Sequence, residues 1–294
     1  MSKAPDAATA GRVMEVARER GLLVCEGIDL LRLAFEAQAE IGDVLVRRDI
    51  LPELPAELLR RAEAGGVDIG VCSEETLADA SSLGGSADVV FVCRQPQWSL
   101  ADLDLARGTS IYLEEVGDPG NVGTLVRGCA GFGATGLIVS PRTADPYGPK
   151  AMRAGMGAQF IVPVVLEVSP EDLLAHLGSL LPKASLAAEQ SAPSGAGAGQ
   201  HSRPQVVVAD PYQGDHARAL ADGDRGQGVV VVLGSERQGP SDNWGHARRV
   251  TIPQARFDSL NVAMAGTILL YELSRRPGGP GDTRVASAGG CAHP

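Results

Sequence analysis

Apolar residues recur along this chain with two alternating periods, and their order divides it into two series of elements. A polar helix is expected over 11–20, followed by a strand at Leu22-Leu23-Val24-Cys25. Ile28, Leu31, Ala34, Phe35 and Ala39 then recur at helical spacing within 27–40. Strand-like runs at 43–46, 67–71 and 89–92 enclose helical stretches at 55–64 and 73–80. Alternating β and α elements predict a mixed or parallel sheet. Residues 94–108, with Pro96 and Trp98, read as a linker. From Thr109 the alternation resumes, with strands at 110–113, 137–139, 161–166, 206–209, 229–233 and 250–252. Helices at 121–131, 149–156, 170–181 and 259–275 lie among them. The small, polar, Gly- and Pro-punctuated stretch 183–204 is expected to be a mobile surface insertion. The tail from 277 to 294 is expected to be disordered. Two α/β domains follow, 11–105 and 109–276.

Composition narrows the class. Hydrophobic residues make up 44% and charged residues 21%, as in a soluble globular protein. No apolar run reaches the roughly 18 residues of a membrane span, and the opening MSKAPDAATAGR has no apolar core, so neither a span nor a secretory signal is expected. Cys25, Cys72, Cys93, Cys129 and Cys291 form no CxxC pair, which predicts no zinc site, no disulfide framework and a reduced, cytoplasmic setting. The net charge of −10 is unevenly placed: residues 1–108 carry 11 basic and 19 acidic side chains, while the remainder carries 15 and 17. A polyanionic partner would then have to be held by a local basic patch rather than by bulk charge.

GFGATG at 131–136 fits GxGxxG, yet a helix precedes it and a strand follows, the reverse of the dinucleotide-binding order. Gly131 and Gly133 are better read as the end of a helix. GSERQG lacks the Lys of a phosphate loop. Three other stretches carry polar residues at strand ends. DPGNVGTLVR puts Asn121 at a helix start and Arg127 within an otherwise apolar helix. These residues read equally as an N-cap and a solvated surface charge. In VVVVLGSERQGP an apolar strand opens into a Gly loop bearing Glu236, which reads equally as a loop carboxylate facing water and as a group at the edge where open α/β sheets place ligands. In IPQARFDSLNVAMAG, Ser259 reads as an N-cap, and Asn261 is a poor helix former in the first turn.

Together, GNVGTLVRGCAGFGA, VLGSERQGPS and IP…SLNVAMAGTILLYEL resemble, in order and spacing, the three signatures of the SpoU/TrmH family of RNA ribose 2′-O-methyltransferases in the SPOUT superfamily. LLVCEGIDLL resembles the F-x-x-E-G opening of the L30e-like domain found in many members, and the second and third signatures are similar to thiostrepton-resistance methyltransferases. The resemblance implies a trefoil-knot methyltransferase domain, a smaller L30e-like substrate domain and a homodimer. It implies S-adenosylmethionine held by Leu233, Gly234, Ile252 and Leu260, and a catalytic set of Asn121, Arg127, Glu236, Ser259 and Asn261. The implied substrate is ribosomal or transfer RNA, with antibiotic self-resistance as a role. Arg127, always protonated, would stabilise a developing alkoxide and hold a phosphate. A basic patch of Arg127, Lys150, Arg153, Arg237 and Arg256 would favour RNA.

Departures from the family pattern are Gln254 and Arg256 in a loop one residue short, and Gly155-Met156 where members often carry Ser-Ala. A small-molecule acceptor and a non-catalytic RNA-binding module are the competing readings.

Overall fold

A computed structural model describes residues 21–81, 87–180, 203–222, 227–245, 247–256 and 258–276. The helix expected at 11–20, all but the end of the 183–204 insertion, the tail and Cys291 lie outside the described residues. The chain forms two compact units. One holds the described residues up to Gln97 together with Asp145–Ile161; the other holds Trp98–Ala144 and the described residues from Val162 onward.

In the first unit, strands β1 (Leu22–Glu26), β2 (Ile41–Arg47), β3 (Ile69–Cys72) and β4 (Val89–Arg94) form a sheet in the order β1-β4-β2-β3. β4 runs antiparallel to both β1 and β2, while β2 and β3 are parallel, so the sheet is mixed. Helices α1 (Ile28–Glu36), α2 (Ala56–Gly65) and α3 (Glu74–Ala80) connect the strands. Ser73 caps α3 by accepting from the Thr76 N–H, and Gly66, at φ 67°, closes α2 in the left-handed conformation that only glycine adopts cheaply. Leu45, Cys72, Leu77 and Val90 are among the residues packed in the core. The segment Asp145–Ile161, with α5 (Pro149–Gly155), belongs to this unit; a β carbon on its Gly157 would meet Leu33 and Leu30 of α1 at 3.3 and 3.4 Å.

The second unit is built on seven parallel strands: β5 (Thr109–Glu114), β6 (Gly136–Val139), β7 (Val164–Val165), β8 (Gln205–Ala209), β9 (Asp215–His216), β10 (Val229–Gly234) and β11 (Arg248–Thr251). Their order is β7-β6-β5-β10-β8-β11-β9. β10 enters between β5 and β8, pairing with both in parallel. Being covered on both faces, it is apolar throughout, and Val229 to Leu233 are fully buried. The chain runs outward from β5 to β7 and then restarts on the other side of β10. The switch in direction brings the loops after β5 and β10 side by side at the carboxyl edge.

Helices α4 (Pro119–Phe132), α6 (Pro170–Ser179) and α7 (Val262–Ser274) cover this sheet. Glycine permits close packing at Gly266, where a β carbon would lie 2.4 Å from Leu125 Cδ2 and 2.6 Å from Leu233 Cδ1. The Tyr112 hydroxyl donates to the Val168 carbonyl at 2.9 Å, and its ring meets Trp244 edge-on at 5.1 Å.

Three details differ from the sequence reading. Asp118, not Asn121, caps α4, because the helix starts two residues earlier than expected, at Pro119, whose missing N–H costs nothing there. Asn261, not Ser259, caps α7, accepting from the Ala263 and Met264 N–H groups. Gly133, at φ 67°, ends α4 as expected, but Gly131 lies inside the helix.

Candidate functional site

Three of the residues singled out in the sequence meet at the carboxyl edge of the second unit. Asp118 Oδ1 accepts from the Asn121 N–H at 3.0 Å, which fixes the backbone of Asn121 in the first turn of α4. Asn121 Nδ2 donates to Glu236 Oε1 at 2.6 Å, and Asn121 Oδ1 accepts from Asn261 Nδ2 at 2.9 Å. Asn261 Oδ1 in turn accepts from Ala263 N at 2.9 Å and Met264 N at 3.2 Å.

The direction of this relay follows from chemistry. An ionised carboxylate only accepts, so the Asn121 atom facing it must be the nitrogen. That leaves Asn121 Oδ1 for the Asn261 amide, whose oxygen is then committed to the N-terminus of α7. Glu236 Oε1 is thereby held at one end of a polarised chain anchored on a helix terminus. Glu236 itself is exposed.

Beside this relay lies a cavity of about 470 Å³ at the carboxyl ends of β8, β10 and β11. Leu233, Gly234, Glu236, Ile252, Ser259 and Leu260, all named from the sequence, line it. At Gly234 a β carbon would stand 2.1 Å from Pro240 N and 2.2 Å from Gly239 C, so the loop that folds back there needs glycine. The Gly239 N–H closes the loop on the Ser235 carbonyl at 2.9 Å.

The sequence reading missed the wall formed by Ala209, Asp210, Pro211, Tyr212 and Gln213. Asp210 organises it: Oδ1 accepts from the Tyr212 and Gln213 N–H groups at 2.8 and 3.1 Å, and Oδ2 accepts from Arg249 Nη1 at 2.8 Å. Burial pushes the Asp210 carboxyl up, but these donors outweigh it and hold the group below the usual range. A legible signal was present, namely an Asp-Pro following a buried strand. Gln254 also lines the cavity, with a buried Oε1 that has no hydrogen-bond partner among the described residues.

Glu114 steadies the same edge from beneath, its Oε2 accepting from Ser241 N at 3.0 Å and Trp244 Nε1 at 2.8 Å. Not every expected residue joins the relay. Arg127 is exposed and makes no hydrogen bond or ion pair among the described residues. Six residues beyond Asn121, it faces about 120° away around α4. Ser259 lines the cavity without a hydrogen bond among the described residues. Of the expected basic patch, Arg127, Arg237 and Arg256 are exposed on the second unit, while Lys150 and Arg153 belong to the first. Among the described residues no cluster of His, Cys, Asp and Glu could hold a metal ion.

The sequence profile described as the SpoU rRNA Methylase family matches residues 108–271. The chain belongs to this family. It is therefore a methylase that draws its methyl group from S-adenosylmethionine. A 23S rRNA (uridine(2479)-2′-O)-methyltransferase of Streptomyces viridochromogenes is 33% identical over 263 residues, covering 88% of this SpoU methylase and 80% of that relative. A 23S rRNA (guanosine(2553)-2′-O)-methyltransferase of Bacillus subtilis is 25% identical over 84% of this chain and 86% of its own. The AdoMet-bound rRNA methyltransferase of Sinorhizobium meliloti superposes with a TM-score of 0.72 at 24% identity, over 92% of this chain and 94% of that one. At that identity the likeness establishes the α/β fold with its parallel sheet.

The cavity suits the cofactor. Its volume is within the range of small-molecule sites, its apolar wall matches a nucleoside, and its unsatisfied Gln254 oxygen asks for a donor.

Proposed function

We propose that this SpoU methylase transfers a methyl group from S-adenosylmethionine to a ribose 2′-OH of ribosomal RNA. The observation that carries this reading is the Asn261–Asn121–Glu236 relay standing at the rim of a nucleoside-sized cavity. When bound, the cofactor supplies a methyl group made electrophilic by its sulfonium centre. Leu233, Gly234, Ile252 and Leu260 hold it, and Glu236 is placed by Asn121 so that its second oxygen accepts from the acceptor hydroxyl. Most of the rate enhancement then comes from alignment and electrostatics. Ser259 helps to position the ribose. Arg127, unengaged within the chain, provides a permanent positive charge for the developing alkoxide and a neighbouring phosphate.

We further assign the unit carrying β1–β4 as an L30e-like substrate domain. The unit carrying β5–β11 is a trefoil-knotted methyltransferase domain that works as a homodimer in the cytoplasm. The RNA reading is supported by the 23S rRNA activity in the names of relatives aligned over most of the chain.

Incubation with labelled S-adenosylmethionine and unmodified 23S rRNA, 16S rRNA and bulk tRNA in parallel tests the proposal. Label in one ribosomal RNA is expected. Absence of label from all three, with cofactor binding intact, would move the acceptor to a small molecule, which the acidic front third would suit.

A further inference from the structure

Gln254 presents an unusual combination: a neutral amide oxygen that is buried, without a hydrogen-bond partner among the described residues, and part of the cavity lining. A buried acceptor left without a donor is costly, so one that lines a cavity calls for a group that would complete it when the cavity is filled. The cavity lining divides by chemistry. The turns after β8 and β10 bring the acidic groups Asp210, Glu236 and Asp242, whereas the stretch from β11 into α7 brings mostly apolar side chains, Val250, Ile252, Leu260, Val262 and Leu269, with Arg249, tied to Asp210, and Ser259 as its polar exceptions beside Gln254. Gln254 lies in that apolar stretch. An ammonium group is better met by the carboxylates on the other wall. A flat, neutral ring bearing one N–H donor is what an apolar slot with a single amide oxygen accommodates. An amide side chain is chemically suited to adenine: in the DNA major groove Asn and Gln meet that base at its exocyclic amino group and N7.

We propose that Gln254 is a specificity-determining residue that reads the adenine of the cofactor, its Oε1 accepting a hydrogen bond from the 6-amino group. This rests on assigning the cavity to S-adenosylmethionine. No bond is made or broken by Gln254; it acts on affinity and on discrimination among nucleosides.

Calorimetric titration of the full chain with S-adenosylhomocysteine, and with its 6-deamino analogue carrying hydrogen at purine C6, separates the possibilities. The wild type is expected to prefer the amino compound by about tenfold. Gln254→Met should bind both within about twofold of each other, at an unchanged or raised melting temperature, because an orphaned acceptor has been removed. Should Gln254→Met keep the tenfold preference, or weaken both ligands equally, the amide does not meet the amino group and the inference is wrong. A methionine variant that alters only the KM for RNA would overturn it equally. If the wild type binds neither compound, the assignment of the cavity to the cofactor fails, and this inference fails with it. Leu260→Asp, which should abolish both affinities while Gln254 stays in place, distinguishes loss of the slot from loss of the amide.

Discussion

Asn261 performs two tasks with one side chain, and the tasks can be separated. Its oxygen caps α7, and its nitrogen orients Asn121. Aspartate caps a helix as well as asparagine does but has no N–H to give. Asn261→Asp is therefore expected to melt within a few degrees of the wild type while methyl transfer falls more than tenfold; comparable loss of both would reduce Asn261 to a structural cap. Arg127 allows a cleaner separation, having no partner to lose among the described residues. Arg127→Ala should leave both the melting temperature and S-adenosylhomocysteine affinity nearly unchanged while abolishing transfer. Loss of cofactor binding in that variant would sink the assigned role.

At this scale the sequence was informative in combination. Singly, a helix cap or a solvated carboxylate read as well; Asn121, Glu236 and Asn261 stood out because their three motifs together resemble the SpoU/TrmH signatures. Their mutual hydrogen bonds did not, since they are 115 and 140 residues apart and only the insertion of β10 makes them neighbours.

At the scale of elements, the carboxyl-edge loops are built around close backbone approach. The bend after β10 tolerates no β carbon, since the atoms it would strike at Gly234 are backbone rather than a movable side chain. Gly234→Ala should consequently lower the melting temperature and eliminate cofactor binding together, as differential scanning fluorimetry with and without S-adenosylhomocysteine would record. Gly155 has a comparable explanation. A β carbon there would come within 2.5 Å of Gln159 Oε1, and Gln159 Nε2 is already tied to the Pro146 and Ala151 carbonyls at 2.9 and 3.0 Å. Gly155→Ser, the residue that the family pattern implies at this position, would displace this buried glutamine unless Gln159 changed with it.

Most helices and strands were legible from periodicity, with ends shifted by a few residues. The expected strand over 161–166 shrank to Val164–Val165, because Ala158–Phe160 takes a short 3-10 turn and Pro163 cannot donate to a ladder. The two-residue β9 and the Asp210 turn went unforeseen, since a strand of that length has no period and a turn held by one carboxylate leaves only an Asp-Pro in the sequence.

For the whole molecule, buried thiols contribute to the alkaline limit, beside the buried Tyr112 and Tyr147 hydroxyls that burial also pushes up, and a paired carboxylate contributes to the acid one. Burial pushes Cys129 from 9.0 up to about 12, and the hydrogen bond between Cys25 and Cys93, reinforced by burial, raises Cys25 too. A thiol that ionises later when folded stabilises the fold fully below its unfolded pKa. That contribution declines as pH climbs from about 9 toward 12. Asp210 acts oppositely: its depressed pKa adds stability above the unfolded value of 3.8, lost as pH falls through the folded one. The melting temperature should thus fall on both sides of neutrality, and Cys129 should resist thiol reagents at pH 8 until the chain is unfolded. Rapid labelling of native protein at Cys129 would contradict its burial.

The acidic front third was evident from composition alone, but which groups the acceptor meets depends on how the loops assemble. The central claim is that the relay at the cavity rim directs methyl transfer to a ribose hydroxyl. Alkaline hydrolysis of ribosomal RNA labelled by the enzyme tests this most directly, because a 2′-O-methyl group blocks cleavage of the adjoining phosphodiester. The account predicts that the label is recovered in alkali-stable dinucleotides. Recovery of the label in mononucleotides would place the methyl group on a base and contradict it.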